Sequence, residues 1–214
     1  MTFRRIFFVV LFVAMFHPAT APADGIGFGE LGVSSLLCNS KDAPCINYYG
    51  LTIRLGLRTE KHPHFGAFLE SGWLVGDNYR SRRIGPNLYR DSFSSIIPLL
   101  AGVNYIQPLG GRCNLYAGPV AGLLIGVDYA KEYEPNAYYE DGEWQDRVKE
   151  WHSRGHSFWS AGGEAGLMLA TDRDGECFLN LSYRFLRATS YKIFDVTTGP
   201  GWNQQITLSI TSSF

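Results

Sequence analysis

The chain has 214 residues, of which 45% are hydrophobic and 14% aromatic, and its 19 basic and 20 acidic residues nearly cancel. This balance argues against a nucleic-acid-binding protein, which would be basic, and a chain of this length is expected to form one domain. No segment approaches the 18 consecutive apolar residues of a transmembrane helix.

The N-terminal region has the pattern of a secretory signal peptide. Arg4 and Arg5 precede an apolar run over 6–16, which is too short to span a bilayer, and small residues follow as far as Ala23. We predict a cleaved signal peptide over 1–23, with a retained membrane anchor as the alternative. Cleavage removes two arginines, so the mature chain 24–214 has an acidic excess of three.

Alternation of apolar and polar residues dominates the mature chain and predicts strands. In the clearest strand, Leu51 and Ile53 share one face whereas Thr52 and Arg54 share the other. The eight predicted strands are 26–37, 47–58, 64–76, 93–107, 113–129, 157–170, 177–187 and 203–214. Each strand has an apolar face and a face of glycine, charge and small polar groups. In a membrane barrel the apolar face meets lipid and the other face lines the interior.

The connections between these strands alternate between short and long. The short ones carry turn residues, as at Gly110-Gly111 and Asp174-Gly175. The long ones are 38–46, 77–92, 130–156 and 188–202. Such asymmetry is typical of outer-membrane barrels, with short periplasmic turns and long external loops. We therefore predict an all-β fold, an eight-stranded antiparallel up-and-down transmembrane β-barrel over 24–214.

Aromatic residues fall near both ends of the predicted strands, on the face expected to meet lipid. The predicted external girdle consists of Tyr49, Trp73, Phe93, Tyr129, Trp159, Phe185 and Trp202. The predicted periplasmic girdle consists of Phe65, Tyr105 and Phe214. Aromatic side chains of this kind collect at membrane–water interfaces, and the last strand ends on one of them.

Three segments carry a resemblance to a known group of proteins: Tyr49-x-x-Thr52-Ile53-Arg54-x-Gly56, Leu115-Tyr116-Ala117-Gly118-Pro119, and the alternating strand 206–214. Together with the strand pattern, they resemble the small eight-stranded outer-membrane barrels, the group of OmpA-type domains, OmpX, OmpW and the neisserial opacity proteins. The resemblance implies an integral outer-membrane location with loops facing the exterior. It also implies contact with outer-membrane lipid, assembly by the barrel-assembly machinery, and no cofactor.

Charged residues on the inward face form the first candidate site. They are Glu30, Arg54, Glu70, Glu164 and Arg184. Buried charges must be paired, and eight strands enclose a space that side chains can fill. We expect a salt-bridged network across the lumen, acting as a structural plug or lining a narrow water-filled path.

The external loops form the second candidate site. The segment 77–91 is basic, whereas the segment 128–154 is acidic and aromatic. The predicted interaction surface consists of Arg80, Arg82, Arg83, Tyr89, Trp144 and Trp151. Its aromatic residues are of the kind that interfaces favour, and its arginines could hold lipid phosphates. The alternative is that the two loops only attract each other in solvent. A short helical turn is expected over 145–151, and no metal site is predicted because no calcium-loop motif is present.

The four cysteines are disulfide candidates, since secretion permits disulfides. Cys38 and Cys45 lie in the first external loop and form the expected bridge. Cys113 and Cys177 lie at the opposite rim on strands separated by one other strand, so they pair only if the turns bend inward. The hydrocarbon band, about 25 Å tall, excludes a bond between the two groups.

The sequence leaves the function less determined than the fold. Our first hypothesis is a surface-exposed barrel acting through its external loops, in adhesion, host contact or envelope integrity. The alternative is an OmpW-like porin or channel for small or hydrophobic solutes. A lipid A-modifying enzyme is a third hypothesis, but we predict no enzyme, because His156 and Ser157 are adjacent and would point to opposite faces of a strand.

Overall fold

The computed structural model describes residues 25–39, 47–59, 62–76, 80–141, 143–172, 176–189, 191–193, 196–198 and 201–213. Its strands, in chain order, are β1 (Gly25–Asn39), β2 (Asn47–Thr59), β3 (His62–Gly76), β4 (Arg80–Gly85), β5 (Leu88–Gly110), β6 (Cys113–Glu140), β7 (Glu143–Ala170), β8 (Cys177–Ala188), β9 (Tyr191–Ile193), β10 (Val196–Thr198) and β11 (Gly201–Ser213). Within these residues, no helix is both long enough and apolar enough to cross a membrane.

Eight of the strands close into a ring. The antiparallel order is β3-β2-β1-β11-β8-β7-β6-β5, and pairing between β3 and β5 completes the circle. The first and last strands of the described chain pair over twelve positions, from Phe28 opposite Ser213 to Asn39 opposite Trp202. The predicted eight-stranded antiparallel barrel is therefore confirmed. We call the end with the short connections the turn end and the opposite end the hairpin end.

Successive residues of each barrel strand point alternately to the outer surface and to the interior, as the period-2 alternation of the sequence predicts. In β8, Leu181 and Tyr183 are exposed on the outer surface, whereas Ser182 and Arg184 are buried within the barrel. The girdle residues that the structure describes are all exposed, namely Tyr49, Trp73, Phe93, Tyr129, Trp159, Phe185 and Trp202 at the hairpin end, with Phe65 and Tyr105 at the turn end. Phe214 and the predicted signal peptide lie outside the described residues.

The largest difference from the sequence prediction is at the hairpin end. The segment 130–156, predicted as a loop, continues β6 and β7 as a long hairpin, and the predicted helical turn over 145–151 is strand. Glu140 pairs with Glu143, and Asp141 has a φ of 51°. The sequence between them is Asp-Gly, a preferred pair in two-residue hairpin turns. In the segment 77–92, β4 pairs with the first residues of β5.

These extensions form one sheet beyond the barrel, which we call the projecting sheet: β4, 88–92 of β5, 130–140 of β6 and 143–156 of β7. The part of β6 beyond Tyr129 extends up to roughly 35 Å along the strand, at about 3.3 Å per residue. The last predicted loop, 188–202, contains the short β9–β10 hairpin. The projecting sheet is thus an ordered structure held by backbone pairing.

The structure describes the side chains of two of the four cysteines, Cys113 and Cys177. The sequence left open whether Cys113 and Cys177 pair, and both are free thiols in the structure. Cys113 lies opposite Leu169 of β7, and Leu169 in turn lies opposite Leu179 of β8, so a whole strand separates the two cysteines. Cys45 and the side chain of Cys38 lie outside the described residues, and their bridge stays a prediction.

Candidate functional site

The five inward charges predicted from the sequence lie together in the middle of the barrel. We call Glu30, Arg54, Glu70, Glu164 and Arg184 the charge cluster. The strand register places them as neighbours, because Glu30, Arg54 and Glu70 lie side by side across β1, β2 and β3. Glu164 of β7 lies opposite Arg184 of β8. All five are at most 7% exposed.

Arg54 joins three carboxylates. Its Nη2 donates to Glu70 Oε2 at 2.8 Å and to Glu164 Oε2 at 2.7 Å. Its Nη1 donates to Glu164 Oε1 at 2.8 Å and lies 3.6 Å from Glu30 Oε2. The guanidinium also stacks over Phe68, with 4.1 Å from Cζ to the ring centroid. Arg54 therefore bridges opposite walls of the barrel.

Arg184 makes a second bridge between two of the same carboxylates. Its Nη1 and Nη2 donate to the two oxygens of Glu70, each at 2.7 Å, and its Nε donates to Glu164 Oε2 at 2.9 Å. Gln205 Oε1 accepts a further bond from Nη1 at 2.9 Å. Paired charges with filled donor and acceptor positions are the form in which ions persist in a buried site.

Apolar side chains close the interior on both sides of the charge cluster. On the hairpin side lies what we call the apolar plug, which consists of Leu36, Tyr48, Leu74, Ile96, Leu124, Phe158 and Leu186, each at most 2% exposed. On the turn side, Ile106, Tyr116, Met168 and Phe178 form a smaller buried group. Of the two interior alternatives, the structural plug matches this packing, because described apolar side chains fill the interior on both sides of the charge cluster.

Glycines on the inward face leave room for aromatic rings. A Cβ added at Gly56 would lie 2.1 Å from Cζ of Phe28, and one added at Gly102 would lie 2.5 Å from Cζ of Phe68. Each glycine lies directly opposite its aromatic residue on the neighbouring strand. The glycine-rich face of the sequence therefore lines a filled interior.

Arg58, which is not one of the five predicted inward charges, also faces the interior of the barrel. Arg58 shares the inward parity of Arg54 on β2, and its guanidinium lies 5.3 Å from the centroid of the Phe28 ring. With Glu30, it borders a cavity of about 20 Å³ on the turn side of the charge cluster, enough for about one water molecule. The alternation Thr52, Arg54, Gly56, Arg58 already indicated this position.

The residues of the predicted interaction surface lie on strands of the projecting sheet. Arg83 is exposed and donates from Nε to the Gly85 carbonyl at 3.0 Å. The Tyr89 ring packs against Tyr133 with centroids 6.1 Å apart, and Trp151 is 65% exposed. Arg80, Arg82 and Trp144 lie in strands, and their side chains are outside the described residues.

Trp151 borders a pocket on the outer face of the projecting sheet, next to the girdle. The pocket has a volume of about 260 Å³, and it is lined by Asp91, Phe93, Tyr129, Lys131 and Trp151. The Phe93 and Tyr129 rings stack with centroids 4.8 Å apart. This face therefore offers aromatic surface beside charged groups.

The opposite face of the projecting sheet continues the inner wall of the barrel and carries His152 and His156, with the carboxylates of Glu132 and Glu150. His156 Nδ1 lies 3.3 Å from Oδ2 of Asp128, which is fully buried. His152 Nε2 lies 3.5 Å from Glu132 Oε1 and 3.2 Å from Glu150 Oε2. Arg90 Nε donates to Glu132 Oε1 at 2.9 Å.

The comparisons with known proteins concern the fold. No protein-family model matches the chain, and no curated protein matches it. Neisserial surface protein A (NspA) has a similar structure, with a TM-score of 0.52, 11% sequence identity, and coverage of 88% of this chain and 97% of that one. At this identity, the similarity shows the fold alone, which is that of the small eight-stranded outer-membrane barrels.

Two further solved structures align at lower scores. Ail, the attachment invasion locus protein of Yersinia pestis, has a TM-score of 0.48 and 14% identity, covering 89% of this chain and 99% of that one. OprG of Pseudomonas aeruginosa has a TM-score of 0.39 and 11% identity, covering 91% and 97%. Both scores are too low to support a conclusion about this chain.

Proposed function

We propose that this outer-membrane β-barrel works at the cell surface through its projecting sheet, by contact with an external partner, and that it does not conduct solutes. The observation that carries the proposal is the closed interior. Leu74, Ile96 and Leu186 are completely buried in the apolar plug, and the charge cluster beneath it is internally paired. A solute would have to displace both layers.

The projecting sheet is a second observation that supports the same proposal. A long ordered structure beyond the girdle is not needed to close a barrel, because the eight strands already pair completely below it. Backbone pairing fixes its exposed aromatic residues, among them Tyr139 at 62% and Trp151 at 65% exposure. Aromatic side chains held in this way contact a partner with little loss of conformational freedom.

The paired charges of the projecting sheet do not by themselves require a partner. Glu134 lies 3.1 Å from Lys149 and 3.8 Å from Arg147. Some of the acidic residues that were predicted to attract the basic loop 77–91 therefore pair with basic residues of their own hairpin. The aromatic residues Trp151 and Tyr139 are 65% and 62% exposed, so most of their surface is open to a partner. Contact through Trp151 and Tyr139 is therefore the more specific part of the proposal.

The test combines conductance with binding, using the full chain refolded into liposomes and a variant in which 130–152 is replaced by a two-residue Asn-Gly turn. Tyr129 and Ser153 are paired, so the shortened hairpin can close above the girdle. Both proteins should migrate differently on a denaturing gel before and after heating, which marks a folded barrel. Stepwise conductance of the intact protein in planar bilayers would contradict the proposal and favour the channel alternative.

The binding arm uses liposomes carrying either protein on a glycan array and on immobilised extracellular-matrix proteins. We expect the intact protein to bind at least one of these probes and the shortened variant to lose that binding. A double substitution, Tyr139→Ser with Trp151→Ser, should reproduce the loss while leaving the strands in place. Equal binding by the intact and shortened proteins would contradict a role for the projecting sheet.

A further inference from the structure

We propose that Glu132, Glu150 and His152 form a binding site for a divalent transition-metal ion of the zinc type, on the inner face of the projecting sheet. One carboxylate oxygen from each glutamate and one imidazole nitrogen all lie within 4.8 Å of one another. This proposal is independent of the proposed surface contact, because a metal can bind whether or not the sheet has a partner.

Strand pairing brings the three side chains together. Glu132 of β6 lies directly opposite Glu150 of β7, and His152 follows Glu150 by two residues, on the same face of the strand. The neighbouring pair, Ala130 opposite His152, presents only a methyl group beside the imidazole. The ligands therefore come from a continuous ladder of two strands, and a site on strands is held more firmly than one on a loop.

The distances match those between the ligands of a tetrahedral ion. With metal–ligand bonds of about 2.0–2.1 Å, the ligand atoms of tetrahedral zinc lie about 3.3–3.4 Å apart. His152 Nε2 lies 3.5 Å from Glu132 Oε1 and 3.2 Å from Glu150 Oε2. A metal ion can therefore contact the imidazole and either carboxylate with little movement of the side chains.

The donor set selects the class of ion. Calcium and magnesium prefer sites made entirely of oxygen, whereas an imidazole nitrogen with two carboxylates suits zinc and its neighbours in the first transition row. Three protein ligands leave a fourth position for water or for a group on another molecule. The side chains of Glu150 and His152 are 66% and 42% exposed, so an ion can reach the site from solvent.

Arg90 has two opposing effects on this site. It donates to Glu132 Oε1 from Nε at 2.9 Å and from Nη2 at 2.5 Å, and hydrogen bonds of this kind orient ligating carboxylates. Its positive charge also repels a cation and competes for the same oxygen. Arg90 balances one of the two carboxylates, which leaves one negative charge in the group for a metal to neutralise.

The experiment uses full-length protein without a polyhistidine tag, refolded in detergent micelles. Cobalt(II) serves as the spectroscopic probe and zinc as its competitor, with zinc affinity measured by calorimetry. We expect one ion per chain and the intense visible bands of tetrahedral cobalt, which zinc then removes. His152→Ala and Glu150→Gln should each weaken binding about tenfold or more.

Two further variants distinguish a metal site from a plain ion pair. His62→Ala removes an exposed histidine at the turn end and should leave zinc affinity unchanged. Arg90→Gln should strengthen zinc binding, because it removes a competing cation while an amide donor remains. The absence of binding by the intact protein, or binding that survives His152→Ala, would overturn the proposal and leave His152 as an ion-pair partner of the two glutamates.

Discussion

The barrel interior and the projecting sheet are both rich in charge, and β7 contributes charged residues to both. In the interior, Glu164 has a side chain with no exposed surface and is shared between two arginines. On the projecting sheet, Arg147 is 54% exposed and lies 3.8 Å from a single glutamate. Charged residues on the same strand, β7, are thus buried in the barrel and exposed on the projecting sheet.

This difference in burial predicts which ion pairs stabilise the fold and which affect only the surface. Breaking a buried ion pair leaves an uncompensated charge shielded from bulk solvent, whereas breaking an exposed pair returns both groups to solvent. We therefore expect the barrel to be insensitive to changes in the projecting sheet, and the chemistry of the projecting sheet to be independent of the interior.

The largest effect is predicted for the charge cluster. Arg184→Ala removes the bridge between Glu70 and Glu164 and leaves two buried carboxylates with Arg54 as their remaining shared arginine. We expect the free energy of unfolding to fall by about 3–5 kcal/mol. Urea unfolding in lipid vesicles, followed by tryptophan fluorescence, measures the loss.

If Arg184→Ala does not fold, the double variant Arg184→Met with Glu70→Gln keeps the test usable, because it removes both charges of one pair. It should fold and be more stable than Arg184→Ala. If Arg184→Ala were as stable as the intact protein, the interior would have to be hydrated. The contrast between a buried interior and an exposed sheet would then be wrong.

The charge cluster itself could be predicted from the sequence because a strand has a period of two. Once Leu31 and Val33 are assigned to the lipid side, Glu30 must lie inside, and a buried charge needs a partner. What alternation does not give is the register between strands, which decides that Arg54 reaches Glu164 on the opposite wall. That contact depends on the tilt of the strands around the closed barrel.

The apolar plug provides the next test of the interior. Leu186 is completely buried, so Leu186→Ala leaves a cavity, and we expect a loss of about 2–4 kcal/mol in the free energy of unfolding. Leu208→Ala is the matched control, because Leu208 is 52% exposed on the outer surface and lipid can fill the space. Equal losses for the two variants would mean that the interior is not packed as a solid layer.

A smaller loss in the free energy of unfolding is expected when a glycine that an aromatic ring covers is replaced by alanine. In Gly102→Ala, the new methyl group would lie 2.5 Å from Cζ of Phe68 and 2.9 Å from the Pro119 carbonyl oxygen. Displacing the ring should lower the free energy of unfolding by about 1–2 kcal/mol. Gly155→Ala is the control, since no atom lies within 4 Å of the added Cβ, and it should be neutral or slightly stabilising.

The projecting sheet could not be predicted in the same way, because its sequence reads as a solvated loop. The segment 130–156 is dominated by charge, and the pairs that stabilise it, such as Glu134 with Lys149, join residues far apart in the chain. Asp141-Gly142 was a usable signal, since this pair favours a two-residue hairpin turn. Bulges add to the difficulty, because the register shifts between Glu134 and Tyr138 and interrupts a regular alternation.

The smallest effect is predicted for the ion pairs of the projecting sheet. Lys149→Ala removes a contact of 3.1 Å to Glu134, but the two side chains are 44% and 31% exposed. We expect a change below about 0.5 kcal/mol in the free energy of unfolding, which should shrink further in 0.5 M salt as the charges are screened. A loss comparable to that of Arg184→Ala would show that the sheet and the barrel unfold as one cooperative unit. A negligible loss, combined with faster proteolysis of 130–156, would instead show that the sheet opens on its own above an intact barrel.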